Sequence, residues 1–269
     1  MNYRHAFHAG NFADCVKHAL LIALLRALLK KPAPLFVLDT HAGAGHYDLE
    51  SGPAARTREA ATGITRLLDL TPGSLEDYVT IVRDLGLYPG SPELIRALLR
   101  PDDRLACCEL HPEEYVALRR RFRQDPQVAV HQRDGWEALK ALLPPRQKRG
   151  LILIDPPYED PTEYLRLADG LKLAHSRFPG GVIAAWYPAK RRASVRAFMA
   201  SLSLRDVIVA EFLLREPLDP TRLNGCGLVI VNPPYRFVEA ARPIMDELLA
   251  RLSCREPGEA ATITRLADE

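Results

Sequence analysis

Seven short apolar runs divide the chain, and the spacing between them limits its fold more than any other feature. Leu35-Phe36-Val37-Leu38 ends at Asp39, and Arg104 to Glu109 follows, then Val128-Ala129-Val130-His131. Leu151-Ile152-Leu153-Ile154 ends at Asp155, and Val182 to Tyr187 comes next. The stretches between these five are long enough for helices, the rhythm of a parallel sheet covered on both faces. The last two runs, Asp206 to Leu214 and Cys226 to Val231, are separated only by a short polar loop. A parallel connection takes about a dozen residues or more, so this last pair is expected to be antiparallel. The expected fold is α/β: a Rossmann-like, seven-stranded, mostly parallel sheet with a C-terminal antiparallel hairpin. A dehydrogenase sheet would more often continue in parallel.

A first helix is expected from about Asn11 to Lys31, with Pro32 and Pro34 past its end and apolar residues at helical spacing through Val16, Leu20, Leu21, Leu24, Leu25 and Leu28. Between Tyr47 and Ser91 the rhythm breaks. Ser74-Leu75-Glu76-Asp77 has the S-x-x-D pattern of a helix cap, opening a helix to about Leu85, and Ser91-Pro92 starts another. Residues 47–91 are therefore read as a helical insertion within one domain spanning 1–269, and the polar tail after Cys254 is given no function.

The composition, 47% hydrophobic and 26% charged, is that of an ordinary globular chain. No apolar run approaches the ~20 residues of a membrane span, and the polar start has no secretory pattern. A cytoplasmic protein without membrane contact is expected. The cysteines at 15, 107, 108, 226 and 254 form no C-x-x-C pair, so reduced buried thiols are expected rather than a metal site. A net charge of +2 announces no nucleic-acid partner, but Arg119-Arg120-Arg121-Phe122-Arg123, Arg146-Gln147-Lys148-Arg149 and Lys190-Arg191-Arg192 are clusters suited to phosphate contacts or to solvated helix ends.

Leu38-Asp39-Thr40-His41-Ala42-Gly43-Ala44-Gly45 is a strand running into a G-x-G turn. Glycine lets the backbone bend there and approach a ligand in the crevice beyond the carboxyl ends of the strands. Glu109 ends the next strand, where a carboxylate can accept from both ribose hydroxyls of a nucleoside cofactor. Asp134-Gly135, after the third strand, can address an adenine ring. The full G-x-G-x-x-G fingerprint fails, since position 48 is Asp48. The loop fits a cofactor without a pyrophosphate, which describes S-adenosylmethionine.

Asp155-Pro156-Pro157-Tyr158 follows the fourth strand. An exocyclic amine on a base is a poor nucleophile because its lone pair is delocalised into the ring. Hydrogen bonds from its N–H groups to Asp155 and to the Pro156 carbonyl favour a pyramidal nitrogen, and Tyr158 can stack on a base flipped out of its helix. Asn232-Pro233-Pro234-Tyr235 offers a second turn of this kind. If the last strand is antiparallel, however, Asn232 falls at the opposite edge of the sheet, so Asp155 is the expected catalytic residue.

With these motifs in view, the chain resembles the RlmJ family of 23S ribosomal RNA adenine-N6 methyltransferases. The blocks that carry the resemblance are Tyr3-Arg4-His5-Ala6-Phe7-His8-Ala9-Gly10-Asn11, Ala13-Asp14, Lys17-His18, the G-x-G strand, Tyr88-Pro89-Gly90-Ser91-Pro92, Glu109-Leu110-His111-Pro112, Gly150 through Tyr158, and Trp186-Tyr187-Pro188. The resemblance implies methyl transfer to adenine N6 in protein-free 23S RNA, by a monomer. It implies that His18, His41, Gly43, Ser91, Glu109, Asp134 and Gly135 contact S-adenosylmethionine, that Asp155, Pro156 and Tyr158 form the catalytic turn, and that Tyr3 lies near the target base. A DNA adenine-N6 or a ribosomal RNA guanine-N2 methyltransferase shares the same active-site chemistry and stays open at this point.

Overall fold

A computed structural model describes residues 5–50, 52–69, 73–160 and 162–268. Helix α1 spans Phe12–Leu29, opened by Asn11, whose side chain accepts from the Asp14 amide. Strand β1 is Phe36–Asp39, and β2 is the two-residue His46–Tyr47. Helices α2 (Gly52–Thr57) and α3 (Glu76–Leu85) follow, then β3 (Tyr88–Pro89) and α4 (Ser91–Leu98). Next come β4 (Arg104–Glu109), α5 (Pro112–Arg121), β5 (Val128–Gln132), α6 (Gly135–Leu142), β6 (Gly150–Ile154) and α7 (Glu163–Arg177). The chain continues through β7 (Val182–Pro188), α8 (Arg192–Ser201), β8 (Val207–Leu213), β9 (Gly225–Val231), α9 (Phe237–Leu252) and β10 (Ala260–Ala267).

The sheet runs in the order β10-β8-β9-β7-β6-β1-β4-β5. From β7 to β5 the pairs are parallel, whereas β9 lies antiparallel to both β7 and β8. The expected parallel sheet with an antiparallel hairpin is therefore present, with β9 inserted beside β7. Among the described residues it holds eight strands rather than seven. The extra one is β10, which pairs antiparallel with β8 in the segment read as an unassigned tail. Its run Ala260-Ala261-Thr262-Ile263-Thr264-Arg265 has one large apolar residue, Ile263, facing the core, so hydrophobic alternation scarcely marks it.

Alternating strand residues feed two apolar layers. Val37, Leu105, Leu151, Leu153 and Ile230 face α1, α4 and α9, while Leu38, Ala106, Ile152, Ile154 and Val229 face α6, α7 and α8. Helix α1 is buried almost all round because α3, α4 and α9 pack on it as well as the sheet. It stops at Leu29, two residues short of the expected end, and Arg149 donates to the Leu28, Lys31 and Ala33 carbonyls. One residue of the second basic cluster thus caps a helix end. Arg121 pairs with Glu93 and Arg192 with Glu211, so members of the other two clusters also serve the fold.

In the 47–91 segment, β2 and β3 pair antiparallel and bring the two ends of the irregular stretch together. Neither was foreseen, because two residues give no periodicity. Helix α3 runs to Leu85 as expected, but Leu75 holds its cap position with no side-chain cap bond, so the cap expected from Ser74 is not made. Among the described residues no helix is long and apolar enough to cross a membrane.

Asn232 directly follows Val231, the end of β9, which is level with Ile183 and Val207 near the amino ends of their strands. It adopts φ 53°, and its side chain donates to the Pro179 and Gly181 carbonyls. The antiparallel direction of β9 places this turn at the opposite edge of the sheet from Asp155, as the topology argument requires.

Candidate active site

The carboxyl ends of β1, β4, β5, β6 and β7 open into one cavity of about 680 Å³. Its walls include His18, His41, Gly43, Ser91, Glu109, Asp134, Gly135, Asp155, Pro156 and Tyr158, so every described residue expected to hold the cofactor or form the catalytic turn lines the same space. Tyr3 lies outside the described residues. The convergence follows from the parallel register: adjacent strands that end level deliver the residues after them to one edge.

After β1 the chain turns through Gly43 (φ 65°) and Gly45 (φ 88°), a left-handed backbone that glycine adopts freely. The Glu109 carboxylate ties this loop to β4, accepting from the Gly43 amide at 2.8 Å and the His111 amide at 2.7 Å. Each oxygen keeps a further lone pair for a ligand hydroxyl. Asp134 caps α6, with Oδ1 accepting from the Trp136 and Glu137 amides, while Oδ2 lies 3.9 Å from Arg166. Next to it Gly135 sits so close to the Thr40 carbonyl and the His41 ring that no side chain fits. The His41 imidazole is bonded to Thr40 Oγ1 through Nδ1 and packs edge-on to Trp136. Burial lowers its pKa to about 4.

Asp39 is buried, and burial raises its pKa to about 6, against the hydrogen bond that Ser91 Oγ donates to it at 2.6 Å. Ser91 opens α4, so this bond joins the far end of the 47–91 segment to β1.

Asp155 leaves β6 with its Oδ2 held by Lys17 Nζ at 2.5 Å. The same ammonium is 3.0 Å from Asp14 Oδ1, and Asp14 Oδ2 accepts from the Gly10 amide and His5 Nε2. Burial works against the charge on Lys17, but the Asp14 and Asp155 carboxylates outweigh it and hold its pKa well above the usual lysine range. Burial likewise opposes ionisation of Asp14, and His5 and Lys17 reverse that, holding its pKa well below the usual carboxylate range. Tyr158 donates from its hydroxyl to the Trp186 carbonyl at 2.9 Å, and its ring stands edge-on between Tyr164 and Trp186.

The sequence motifs give Lys17, Asp39, Trp136 and Trp186 no separate role, yet all adjoin the site. The one available signal was the i, i+3 spacing of Asp14 and Lys17, which usually marks an exposed pair. Of the basic clusters, only Lys190 reaches the cavity wall.

A model of the family described as Ribosomal RNA large subunit methyltransferase D, RlmJ, matches residues 32–262. The chain belongs to this family. Two RlmJ relatives are each named Ribosomal RNA large subunit methyltransferase J. The protein from Escherichia coli (strain K12) is 38% identical over 280 residues, covering 100% of both chains. That from Haemophilus influenzae is 36% identical over 264 residues, covering 94% of each. Among solved structures, protein LPL1258 of Legionella pneumophila superposes with a TM-score of 0.87 at 36% identity, covering 96% of this chain and 98% of that one. A probable spermidine synthase from Corynebacterium glutamicum, at TM-score 0.50 and 15% identity, shares the fold alone. The RlmJ assignment agrees with the family that the N-terminal block and the D-P-P-Y turn resemble.

Proposed function

We propose that this protein transfers a methyl group from S-adenosylmethionine to the exocyclic N6 of an adenine in 23S ribosomal RNA. It does so as a monomer on protein-free RNA, within one domain whose 47–91 segment is a helical insertion. The observation that carries this reading is the Asp155-Pro156-Pro157-Tyr158 turn, which faces the same cavity as Glu109, Asp134 and Gly135. The names of the two RlmJ relatives support ribosomal RNA as the substrate.

The residues present fit the cofactor. The cavity lies within the roughly 300–1,000 Å³ of small-molecule sites. His18, which lines it, has in Nε2 a buried polar atom without a partner among the described residues, and Gly135 leaves a cradle that a Cβ would fill. Glu109 is placed to accept from ribose hydroxyls, Asp134 and Gly135 to address the adenine ring, and His18, His41, Gly43 and Ser91 to complete the walls. When bound, the cofactor supplies an activated methyl group on a sulfonium.

The rest is positioning by this chain. Lys17 occupies Oδ2 of Asp155, which leaves Oδ1 to accept from one N–H of the target amine. The rigid Pro156 carbonyl accepts from the other. Both bonds favour a pyramidal nitrogen with its lone pair aimed at the methyl group, and Asp155 is the nearest base for the released proton. Tyr158, fixed through Trp186, stacks on the flipped base, and Tyr3 contacts that base from the N-terminal segment.

The test combines purified protein, labelled S-adenosylmethionine and protein-free 23S RNA, with an Asp155→Ala variant beside it. N6-methyladenosine in the digested product, absent with the variant, is the expected result. Label in guanosine, or in DNA alone, would overturn the substrate assignment.

A further inference from the structure

Tyr78, Tyr88 and His18 form a buried polar chain that methyl transfer itself does not use. Tyr78 comes from α3, Tyr88 from β3 and His18 from α1, and they are 1%, 3% and 0% exposed. His18 Nδ1 is 3.0 Å from the Tyr88 hydroxyl, which is 3.1 Å from the Tyr78 hydroxyl. The other ring nitrogen, Nε2, is buried with no hydrogen-bond partner among the described residues, and His18 is one of the residues that line the cavity. A polar atom buried in this state is costly unless a ligand meets it.

The three hydroxyl and ring protons can be placed by relative acidity. Burial drives the His18 pKa down to about 3, so the ring is neutral and only one nitrogen carries hydrogen. Burial also holds both phenols well above their usual range, so each keeps its proton. A phenol is a stronger acid than a neutral imidazole N–H, and imidazole nitrogen is a stronger base than phenol oxygen. The bond is therefore Tyr88 O–H to Nδ1. Tyr88 oxygen then accepts from Tyr78, whose other neighbour, the Cys15 thiol, is a weak acceptor. Nε2 is left as the protonated nitrogen.

We infer that Tyr88, backed by Tyr78, is a positioning residue that fixes His18 as its Nε2–H tautomer, so that His18 donates to a carboxylate oxygen of the cofactor's amino-acid arm. This rests on the S-adenosylmethionine reading above. Glu109 and Asp134, after β4 and β5, serve the nucleoside end, which leaves α1 for the arm. Within that arm the ammonium can only donate and the sulfonium is cationic, so the carboxylate is the one acceptor for an N–H. The nearby cation, Lys17, is already shared between Asp14 and Asp155. Two tyrosines of the 47–91 segment thereby set the hydrogen-bond polarity of a residue outside it.

The test uses the full chain with ¹⁵N-labelled histidine. Long-range ¹H–¹⁵N spectra of the free protein should show His18 with Nδ1 bare and Nε2 protonated, and Tyr88→Phe should lose that single-tautomer signature. Tyr88→Phe should also weaken S-adenosylhomocysteine binding roughly tenfold. Binding of 5′-methylthioadenosine, which lacks the amino-acid arm, should not change, and its retention shows that the variant is folded. A proton on Nδ1 in the free parent protein would overturn the inference while leaving the cofactor reading intact. Equal losses for both nucleosides would overturn the carboxylate contact. If the parent binds neither, the cofactor reading fails and the carboxylate contact falls with it, whatever the tautomer.

Discussion

The ammonium of Lys17 lies 2.5 Å from Oδ2 of Asp155, a residue 138 positions further along the chain. The lysine side chain is 6% exposed, Asp155 16% and Asp14 4%, so one cation is shared between two enclosed carboxylates. Removing one partner of a buried ion pair leaves an uncompensated charge, at about 3–5 kcal/mol. Lys17→Met should therefore lower the unfolding free energy in urea by about 3 kcal/mol or more. With Oδ2 no longer held, methyl transfer should fall on the order of 100-fold even under conditions where the variant stays folded. A variant as stable and active as the parent would show that Asp155 does not depend on α1.

Gly135 meets the Thr40 carbonyl and the His41 ring where a methyl group would have to go. The Thr40 oxygen is backbone just after β1 and cannot swing away, so the start of α6 must shift as well as the His41 ring. Gly135→Ala should cost about 1–3 kcal/mol by overpacking, and it should weaken S-adenosylhomocysteine binding as His41 is displaced. Gly180→Ala, where nothing lies within 4 Å of the added carbon, is the control and should change neither quantity.

These residues show where the sequence is informative. The strand ends were legible because Asp39, Glu109 and Asp155 each close an apolar run, and parallel register gathers such ends at one edge. The antiparallel direction of β9, read from a loop too short for a crossover, separated Asp155 from Asn232 without coordinates. Lys17 and the Tyr78–Tyr88–His18 chain were not legible. Their meaning depends on α1 being enclosed by α3, α4 and α9 as well as the sheet, and a buried lysine in a leucine-rich helix looks locally like a solvated one. Hydrogen-bond polarity between side chains from three different elements has no periodicity to betray it.

Strand β10 covers the outer edge of β8, where Val207, Ile208 and Val209 are buried. Arg265 pairs with Asp206, and Ile263 packs into the core, so the strand is anchored by charge and by one apolar side chain. Ending the chain after Glu256 would bare the β8 ladder, and an exposed apolar edge recruits other chains. The shortened protein should self-associate in light scattering, while Leu266→Ala, at a residue 42% exposed, should stay as dispersed as the parent. A monodisperse truncation would mean that β10 adds little to the sheet.

His18 and Asp39 should pull the acid stability of the protein in opposite directions. The native His18 pKa is about 3, from burial, against 6.5 for the free side chain. Below about pH 6.5 the unfolded chain therefore binds a proton that the native one refuses, and stability is lost as pH falls toward the native value. Burial raises Asp39 to about 6 from 3.8, so below about 6 the native state takes up a proton first and gains stability. A tenfold change in proton affinity corresponds to about 1.4 kcal/mol. The histidine is displaced further from its free value than the aspartate, so its effect should win, making the parent less stable at about pH 5 than at about pH 7. His18→Gln should flatten that decline, whereas Asp39→Asn should steepen it by removing the opposing gain. Urea unfolding at about pH 7 and about pH 5 reads both slopes. A parent whose stability does not change between these values, with both variants parallel to it, would mean that neither group is buried as the fold places them.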